Sequence, residues 1–248
     1  MLILAVSFEA AKIFITYFLY LHKKFTLEMG NNQQELINKC IAYVKEELAE
    51  GEKGHDWWHI DRVWRTSRLI AKSEPVDLFV VELAALLHDI ADAKFYNGDE
   101  GIGPHKAEAF LKTLNVRSSV VEHVVQIVRN ISFKGGNSLS NFSSPELHVV
   151  QDADRLDALG AIGIARAFHY GGFKNRLLFH PDIKPNLKMT KEEYQKSDAP
   201  TINHFYEKLL LLKDRMNTPT GKALALRRHA FMELFLEEFE SEWNLEEG

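Results

Sequence analysis

The sequence predicts an all-α protein. Apolar residues recur at the three- and four-residue spacing of amphipathic helices through most of the 248 residues. No stretch of useful length alternates apolar and polar residues as a half-buried strand does, and no segment repeats internally. Aspartates stand just before two of the apolar runs, where they can cap the first turn of a helix.

The first predicted helix covers residues 35–49. Its apolar side chains at positions 36, 37, 40, 41, 44 and 48 form one stripe. Cys40 lies on this stripe, so we expect it to be a core side chain rather than a nucleophile. Because Cys40 is the only cysteine, no internal disulfide can form, and we predict a reducing, cytoplasmic compartment.

The next two helices carry the most unusual residues. Asp56 is expected to cap a helix that includes His59 and runs to about Lys72. Asp77 is expected to cap the helix after it. That helix is apolar on nearly every face, which predicts a buried helix, and it ends at His88-Asp89.

The rest of the chain predicts five helices, one loop and one long irregular segment. The loop, residues 132–147, is rich in Gly, Ser and Asn. Residues 170–200 contain a Gly-Gly pair and three prolines. Loops of this length are usually functional or mobile, so we interpret this segment as a lid or rim. The helices are expected at residues 104–114, 119–131, 145–169, 201–216 and 219–243.

The N-terminal segment is apolar but is interrupted by Glu9 and Lys12. Its uninterrupted apolar run, residues 13–21, is shorter than the ~20 residues that span a bilayer, so no stable membrane span is expected. Positive charges follow this run and no cleavage site is evident, which argues against a signal peptide. We expect residues 1–29 to be an extension outside the domain. A misassigned start codon is the favoured explanation, and a membrane-surface helix is the alternative. Residues 30–248 are then the domain.

The charge balance narrows the range of substrates. The net charge is −5, and no basic run of the kind that lines a nucleic-acid groove is present. Polymeric DNA or RNA is therefore not an expected partner. An acidic protein that handles an anionic small molecule needs local positive charge, which a metal ion and a few lysines and arginines would supply.

Two histidines and two aspartates form the most informative set, His59, His88, Asp89 and Asp154. Imidazole and carboxylate ligands together suit Mn²⁺, Fe²⁺, Co²⁺, Ni²⁺ or Zn²⁺ and leave coordination positions open. The chain has another His-Asp dipeptide, His55-Asp56, which lies in a Gly- and charge-rich stretch. His88-Asp89, in contrast, ends a predicted buried helix. A charged pair at the end of a buried helix must be paired or must bind a metal.

Three segments resemble the HD superfamily of metal-dependent phosphohydrolases. His59 stands in an H-x-x-R-V pattern within GHDWWHIDRVWRTSRLIA, which resembles the opening helix of the family. ALLHDIADAKF resembles the signature helix, and VVQDADRLDALGAIGIARAF resembles the closing helix that supplies the last aspartate. The likeness extends from Asn32 to Trp243. Over this region the sequence resembles the small bacterial single-domain HD hydrolases that act as nucleoside triphosphate pyrophosphohydrolases. The resemblance implies an HD-domain helical bundle.

The resemblance implies an activity and leaves three hypotheses. The first is hydrolysis of nucleoside or deoxynucleoside triphosphates to the monophosphate and diphosphate. The second is another HD chemistry, either 5′-nucleotidase or phosphodiesterase, and the phosphate product that is released separates the two. The third is a non-catalytic nucleotide-binding module, against which the intact ligand set argues. The expected partner is a small-molecule nucleotide, and the sequence leaves a homodimer open.

The resemblance also implies one divalent ion, which could be Mn, Co, Ni, Fe, Zn or Mg. We choose Asp154 as the last ligand because residues 153–158 match the family's A-D-x-x-D-A motif. Asp152 remains an alternative, although residues two apart on a helix diverge by about 200° and cannot both face one site. His105 and His123 could supply a second ion, as extra histidines do in dinuclear members.

The remaining candidates act on the substrate. Asp92 comes three residues after Asp89 and so faces the same side, the offset at which several HD hydrolases have a catalytic acid or base. The alternative for Asp92 is a solvated surface charge. Arg62 either orients a metal ligand or contacts phosphate. Lys134 stands near the expected mouth of the site, and His123 could line it.

Overall fold

The computed structural model describes residues 30, 32–49, 56–91, 99, 101–131, 142–190, 193 and 197–245. Within these residues the regular structure is entirely helical, so the predicted all-α class is confirmed. In chain order the elements are α1 (32–47), α2 (Trp57–Ala71), α3 (Leu78–Leu87), α4 (Ile102–Thr113), α5 (Ser118–Asn130), α6 (Pro145–Asp157), α7 (Gly160–Phe173), α8 (Thr201–Glu207), a 3-10 helix (Leu209–Arg215) and α9 (Pro219–Asn244).

The chain divides into two compact units, Met1–Tyr43 and Val44–Gly248. In the described part of the first unit, the side chains of Ile37 and Cys40 are buried. Burial raises the pKa of the Cys40 thiol, so the thiol stays protonated at neutral pH and cannot act as a thiolate. Cys40 is therefore a core side chain, as predicted. The domain boundary predicted after residue 29 stays a prediction.

Side-chain caps fix the starts of α2 and α3. Asp56 accepts a hydrogen bond of 3.0 Å from a backbone N–H in the first turn of α2, and Asp77 accepts one of 2.9 Å in α3. Both predicted caps are confirmed. The helix α3 is buried along almost its whole length and ends at Leu87. His88 and Asp89 therefore follow its last turn directly.

Within the second unit, α6 packs against α2, α3, α5, α7 and α9. Its N-cap residue, Ser144, accepts a hydrogen bond of 3.1 Å from the N–H of Leu147. Glu146 in its first turn accepts one of 2.9 Å from the N–H of Asp77, which joins the starts of α3 and α6. The helices α2 and α3 also pack together across a short connection, so the start of α2 lies beside the end of α3.

The single helix predicted over residues 145–169 is wrong, because the chain breaks between α6 and α7. Leu159 is extended, with φ −118° and ψ 157°, and Gly160 has a φ of 70°, a conformation that favours glycine. A Cβ atom at Gly163 would collide with the carbonyl group of Ala158. Glycine at this position lets the start of α7 pass close to the end of α6.

The C-terminal helices start where the sequence predicts, but the first of them is interrupted. The segment predicted as one helix over residues 201–216 is α8 followed by a 3-10 helix. Lys208 lies between them with φ −142° and ψ −56°, which is outside the helical region. The helix predicted over residues 219–243 is α9, and the side chain of Thr218 caps it by accepting a hydrogen bond of 2.9 Å from the N–H of Gly221.

The irregular segment predicted from residue 170 begins after Phe173, because α7 continues to that residue. The N–H of Thr201 donates a hydrogen bond of 2.8 Å to the carbonyl group of Leu177, and Arg176 donates one of 2.5 Å to that of Ser197. These bonds join the two ends of the segment to each other. Its role as a lid or rim stays a prediction.

Several predicted features lie outside the described residues, namely the extension at residues 1–29, Asp92, Lys134 and most of the loop at residues 132–147. Among the residues that are described, no helix combines the length and the apolar character that crossing a membrane requires.

Candidate metal centre

His59, His88 and Asp89 come together at one place in the second unit. Their potential ligand atoms all lie within 4.8 Å of one another. His59 belongs to the first turn of α2, and the other two follow the last turn of α3, which packs against α2. Both histidines are buried, with 3% and 8% of their surface exposed. A cluster of this composition could hold a metal ion.

Each histidine has one ring nitrogen committed as a hydrogen-bond donor. Nδ1 of His88 lies 2.8 Å from the carbonyl oxygen of Ala85, which can only accept, so this nitrogen carries a proton. Nδ1 of His59 lies 2.7 Å from Oδ2 of Asp157. Burial lowers the pKa of His59, and the hydrogen bond to Asp157 offsets this only in part. The Asp157 carboxylate favours the form of the ring that carries its proton on Nδ1.

The Nε2 nitrogens of the two histidines face each other. They lie 3.3 Å apart, and an Nε2 nitrogen carries a lone pair when the proton of its ring is on Nδ1. Two lone pairs at this distance repel each other unless a cation lies between them. Metal–nitrogen distances of about 2.0–2.1 Å place two nitrogen ligands about 3–3.5 Å apart. The 3.3 Å separation of the pair therefore fits two ligands of one metal ion.

Asp154 approaches the same point from α6. Its Oδ1 atom lies 3.5 Å from Nε2 of His59 and 3.8 Å from Nε2 of His88. These distances exceed those of hydrogen bonds but suit ligands that share one ion. The side chain of Asp154 is 37% exposed, whereas the two histidines are buried. The cluster is thus open to solvent on the Asp154 side, and the assignment of all four ligands stays a prediction.

Asp152, the alternative last ligand, faces away from the cluster. Its side chain is fully buried and accepts hydrogen bonds of 2.8 Å and 2.7 Å from the N–H groups of Asn217 and Thr218. The hydroxyl of Thr218 donates a third, of 2.8 Å. Asp152 therefore holds the start of α9, and the geometry favours Asp154 as the ligand.

The sequence reasoning gave no role to Asp157, although the A-D-x-x-D-A motif contains it. Its carboxylate is 5% exposed and accepts hydrogen bonds from His59, from Arg62 and from Arg166. Burial raises its pKa, but the hydrogen bonds from His59 and Arg62 and the charge of Arg166 outweigh burial, so the pKa lies well below its usual range. Asp157 is therefore ionised at neutral pH.

Arg166, on α7, reaches this carboxylate from the other side of the helix break. Its Nη1 atom contacts Oδ2 of Asp157 and lies 2.7 Å from Nδ1 of His59. A guanidinium only donates, and the Asp157 carboxylate accepts from Arg166 and from the Nδ1–H form of His59. Arginine and histidine therefore share one carboxylate oxygen. Nothing in the local sequence indicates this role for Arg166.

Arg62 is placed beside the cluster, as expected for the residue one turn after His59. Its Nε and Nη2 atoms donate hydrogen bonds of 2.6 Å and 3.0 Å to the two oxygens of Asp157. This bidentate contact supports the first of its two predicted roles, which is to orient a metal ligand. Direct contact of Arg62 with phosphate stays a prediction, as do the roles of Asp92 and Lys134, which lie outside the described residues.

His123 lies at the other end of α6 from Asp154. Its Nε2 atom is 2.9 Å from the hydroxyl of Ser144, the N-cap of α6, and the structure does not bring it next to the cluster. Within the described ranges, neither His123 nor His105 belongs to a group of three side chains that could hold a metal. A substrate contact of His123 stays a prediction.

Comparisons with known proteins identify the family. Residues 57–159 match the HD domain family. The crystal structure of an HD-superfamily hydrolase from Bacillus thuringiensis is 44% identical, covers 86% of this chain and 98% of that chain, and has a TM-score of 0.69. The chain belongs to the HD superfamily of hydrolases. This HD hydrolase is also 37% identical over 204 residues to YpgQ, an uncharacterized protein of Bacillus subtilis (strain 168), covering 81% of this chain and 90% of YpgQ.

YpgQ has also been solved in complex with ADP. In that comparison the identity is 35%, the coverage is 83% of this chain and 97% of that chain, and the TM-score is 0.65. Membership of the family makes this HD hydrolase a metal-dependent phosphohydrolase and removes the support for a non-catalytic module. The cluster of His59, His88 and Asp89 lies within the matched region.

Proposed function

We propose that the protein hydrolyses nucleoside and deoxynucleoside triphosphates to the monophosphate and diphosphate. In this proposal one divalent ion is held by His59, His88, Asp89 and Asp154. The observation that carries it is the pair of Nε2 nitrogens, which lie 3.3 Å apart with Asp154 Oδ1 at 3.5 Å and 3.8 Å from them.

The nucleotide part of the proposal has separate support. The ADP complex of YpgQ is a nucleotide complex of a protein that this chain covers over 97% of its length. The net charge of −5 agrees with a small anionic substrate that is bound by local cations and not by an extended basic surface. The segment-by-segment resemblance to bacterial pyrophosphohydrolases favours cleavage between the α- and β-phosphates.

Each candidate side chain has a separate role in the proposed hydrolysis. A divalent metal bound here would lower the pKa of water and polarise a phosphoryl oxygen. In this proposal His59 and His88 bind the metal through Nε2, and the exposed side of Asp154 faces the substrate. Asp92 is the proposed acid or base for the proton of the attacking water. Arg62, Lys134 and His123 are the proposed substrate contacts.

The test is a product analysis of purified protein with a panel of nucleotides and Mn²⁺, Co²⁺ or Mg²⁺. The expected result is diphosphate and a nucleoside monophosphate in equal amounts from triphosphates. Orthophosphate from monophosphates would replace the proposal with a 5′-nucleotidase, and opening of cyclic nucleotides would replace it with a phosphodiesterase. The same assay on the His88→Ala protein shows whether the activity belongs to this site.

A further inference from the structure

Asp157 is held by three side chains from two helices. His59 and Arg62 come from α2 and Arg166 from α7. We infer that Asp157 is a positioning residue that keeps the proton of His59 on Nδ1, so that Nε2 is free to bind metal. The inference rests on the proposed function in one respect, because it takes His59 as a metal ligand.

The chemistry of imidazole makes this role specific. A neutral histidine carries one proton, on either Nδ1 or Nε2, and only the first form can bind a metal through Nε2. The Asp157 carboxylate oxygen lies 2.7 Å from Nδ1 and accepts a hydrogen bond there, which favours the proton on Nδ1. A carboxylate in this position also fixes the rotation of the ring, so that Nε2 points at His88.

The two arginines are needed because Asp157 is buried. A carboxylate that is 5% exposed loses most of its contact with water and needs charged donors to replace it. Arg62 binds both oxygens in a bidentate contact, and Arg166 adds a third donor group. The guanidinium groups therefore hold the Asp157 carboxylate in place beside His59.

Asp152 offers a matched control on the same helix. It is as deeply buried as Asp157 and is as fully hydrogen-bonded, but its partners are Asn217 and Thr218 at the start of α9. Replacing either aspartate by asparagine removes one buried negative charge from α6. A general loss of stability would therefore affect both variants, whereas a change in the proton position of His59 should occur only in Asp157→Asn.

Asparagine at position 157 cannot satisfy all the donors around it. Its single oxygen can face either His59 or the Nε atom of Arg62, and its NH₂ group then faces the other. When the NH₂ group faces His59, Nδ1 must accept and the proton moves to Nε2, where it blocks the metal. We therefore expect the apoprotein of Asp157→Asn to bind Mn²⁺ 10–100-fold more weakly, a factor typical of groups that orient metal-binding histidines (roughly one to two orders of magnitude).

The experiment combines calorimetric titration of the metal-free full chain with Mn²⁺ and NMR of the ¹⁵N-labelled histidines. In the wild type, His59 (assigned with His59→Gln) should show the Nδ1–H form, and in Asp157→Asn it should show Nε2–H. Asp152→Asn should lower the melting temperature and leave both readouts as in the wild type. Arg62→Lys, which keeps the charge but loses the bidentate contact, should weaken Mn²⁺ binding by a smaller factor than Asp157→Asn.

Two results would overturn the inference, and they differ from failure of the proposed function. If Asp157→Asn binds Mn²⁺ as tightly as the wild type, or if His59 keeps the Nδ1–H form, Asp157 does not position His59. If instead His59→Gln binds Mn²⁺ normally, His59 is not a ligand and the metal centre itself is assigned wrongly. Should Asp157→Asn fail to fold, the Arg62→Lys protein decides by the same two readouts.

Discussion

The Nε2 nitrogens of His59 and His88 lie 3.3 Å apart, while the Nδ1 atoms of these rings face hydrogen-bond acceptors, Oδ2 of Asp157 and the carbonyl oxygen of Ala85. This relationship joins the first turn of α2 to the end of α3. A cation between the two Nε2 nitrogens would bind both rings. Metal binding should therefore stabilise the second unit, and the free energy of unfolding should rise with Mn²⁺ concentration.

The first prediction concerns the cluster. His88→Ala should lose bound metal and hydrolytic activity while the far-UV circular dichroism signal stays helical, because the ring is removed from the end of α3 and not from its interior. Metal analysis and product assays measure the two effects. His148→Ala is the control, since its ring bonds the hydroxyl of Ser143 at the other end of α6. A fully active His88→Ala protein would remove this cluster as the catalytic site.

The second prediction concerns stability without metal. Asp152→Ala leaves the N–H groups of Asn217 and Thr218 without their buried acceptor, and should cost about 3 kcal/mol of unfolding free energy. Urea unfolding of the metal-free protein measures this. Asp214→Ala, at a side chain that is 73% exposed, should cost less than about 0.5 kcal/mol. Equal effects of the two substitutions would contradict the role of Asp152 in holding α9.

The third prediction concerns Asp92. If it is the acid or base, Asp92→Asn should keep its metal and lower kcat by about 10²-fold or more, with little change in KM. Steady-state kinetics and metal analysis on the same sample distinguish the outcomes. An unchanged kcat would make Asp92 a solvated surface charge. Loss of metal would make it a ligand and reopen the assignment of Asp154.

The fourth prediction is a pH dependence of stability that arises at His204, away from the metal centre. Burial, with the charges of Lys208 and Arg176, lowers the pKa of His204 to about 3. In the unfolded chain its pKa is about 6.5, so between about pH 6.5 and 3 only the unfolded chain binds the proton. The stability that comes from neutral His204 is complete above about pH 6.5 and is lost as the pH falls.

The pKa difference of His204 between the folded and the unfolded chain limits how much stability is lost as the pH falls. One such group contributes at most about 1.4 kcal/mol per pH unit within that range. Urea unfolding at pH 7 and pH 5 should therefore show a smaller loss of stability in His204→Gln than in the wild type. An identical loss in both proteins would assign the pH dependence to other groups.

The fifth prediction concerns the N-terminal extension. Deletion of residues 1–28 should leave a protein that retains metal and activity, because the buried side chains of α1 begin at Ile37. Thermal unfolding and the nucleotide assay on both forms measure this. Aggregation of the shortened chain would show that the extension is part of the fold, and a need for detergent in the full chain would support a membrane-surface role.

What the sequence predicted correctly was local. The caps Asp56 and Asp77 act on backbone groups two or three residues away, so the spacing contained the information. The buried helix before His88 was equally visible, because every face of it is apolar. The break between α6 and α7 was missed because Ala158 and Leu159 continue the apolar pattern. Only Gly160, with its positive φ, was a signal for it.

What the sequence could not supply was the set of contacts between distant residues. Asp157 and His59 are 98 positions apart, and the spacing within α6 does not show which aspartate meets which helix. Residues two apart on a helix diverge by about 200°, so only one of Asp152 and Asp154 can face the histidines. The sequence did not show which of the two does so. That choice depends on Asn217 and Thr218, which enclose Asp152 from beyond residue 200.

The break after α6 limits how such a domain can be shortened or transplanted. The family match ends at residue 159, and a fragment cut there would still contain all four candidate ligands. It would lack Arg166, which shares the buried charge of Asp157, and also the start of α9, which encloses Asp152. The four candidate ligands alone are thus not enough to reproduce the centre. A graft of this centre onto another scaffold must include α7 and the start of α9.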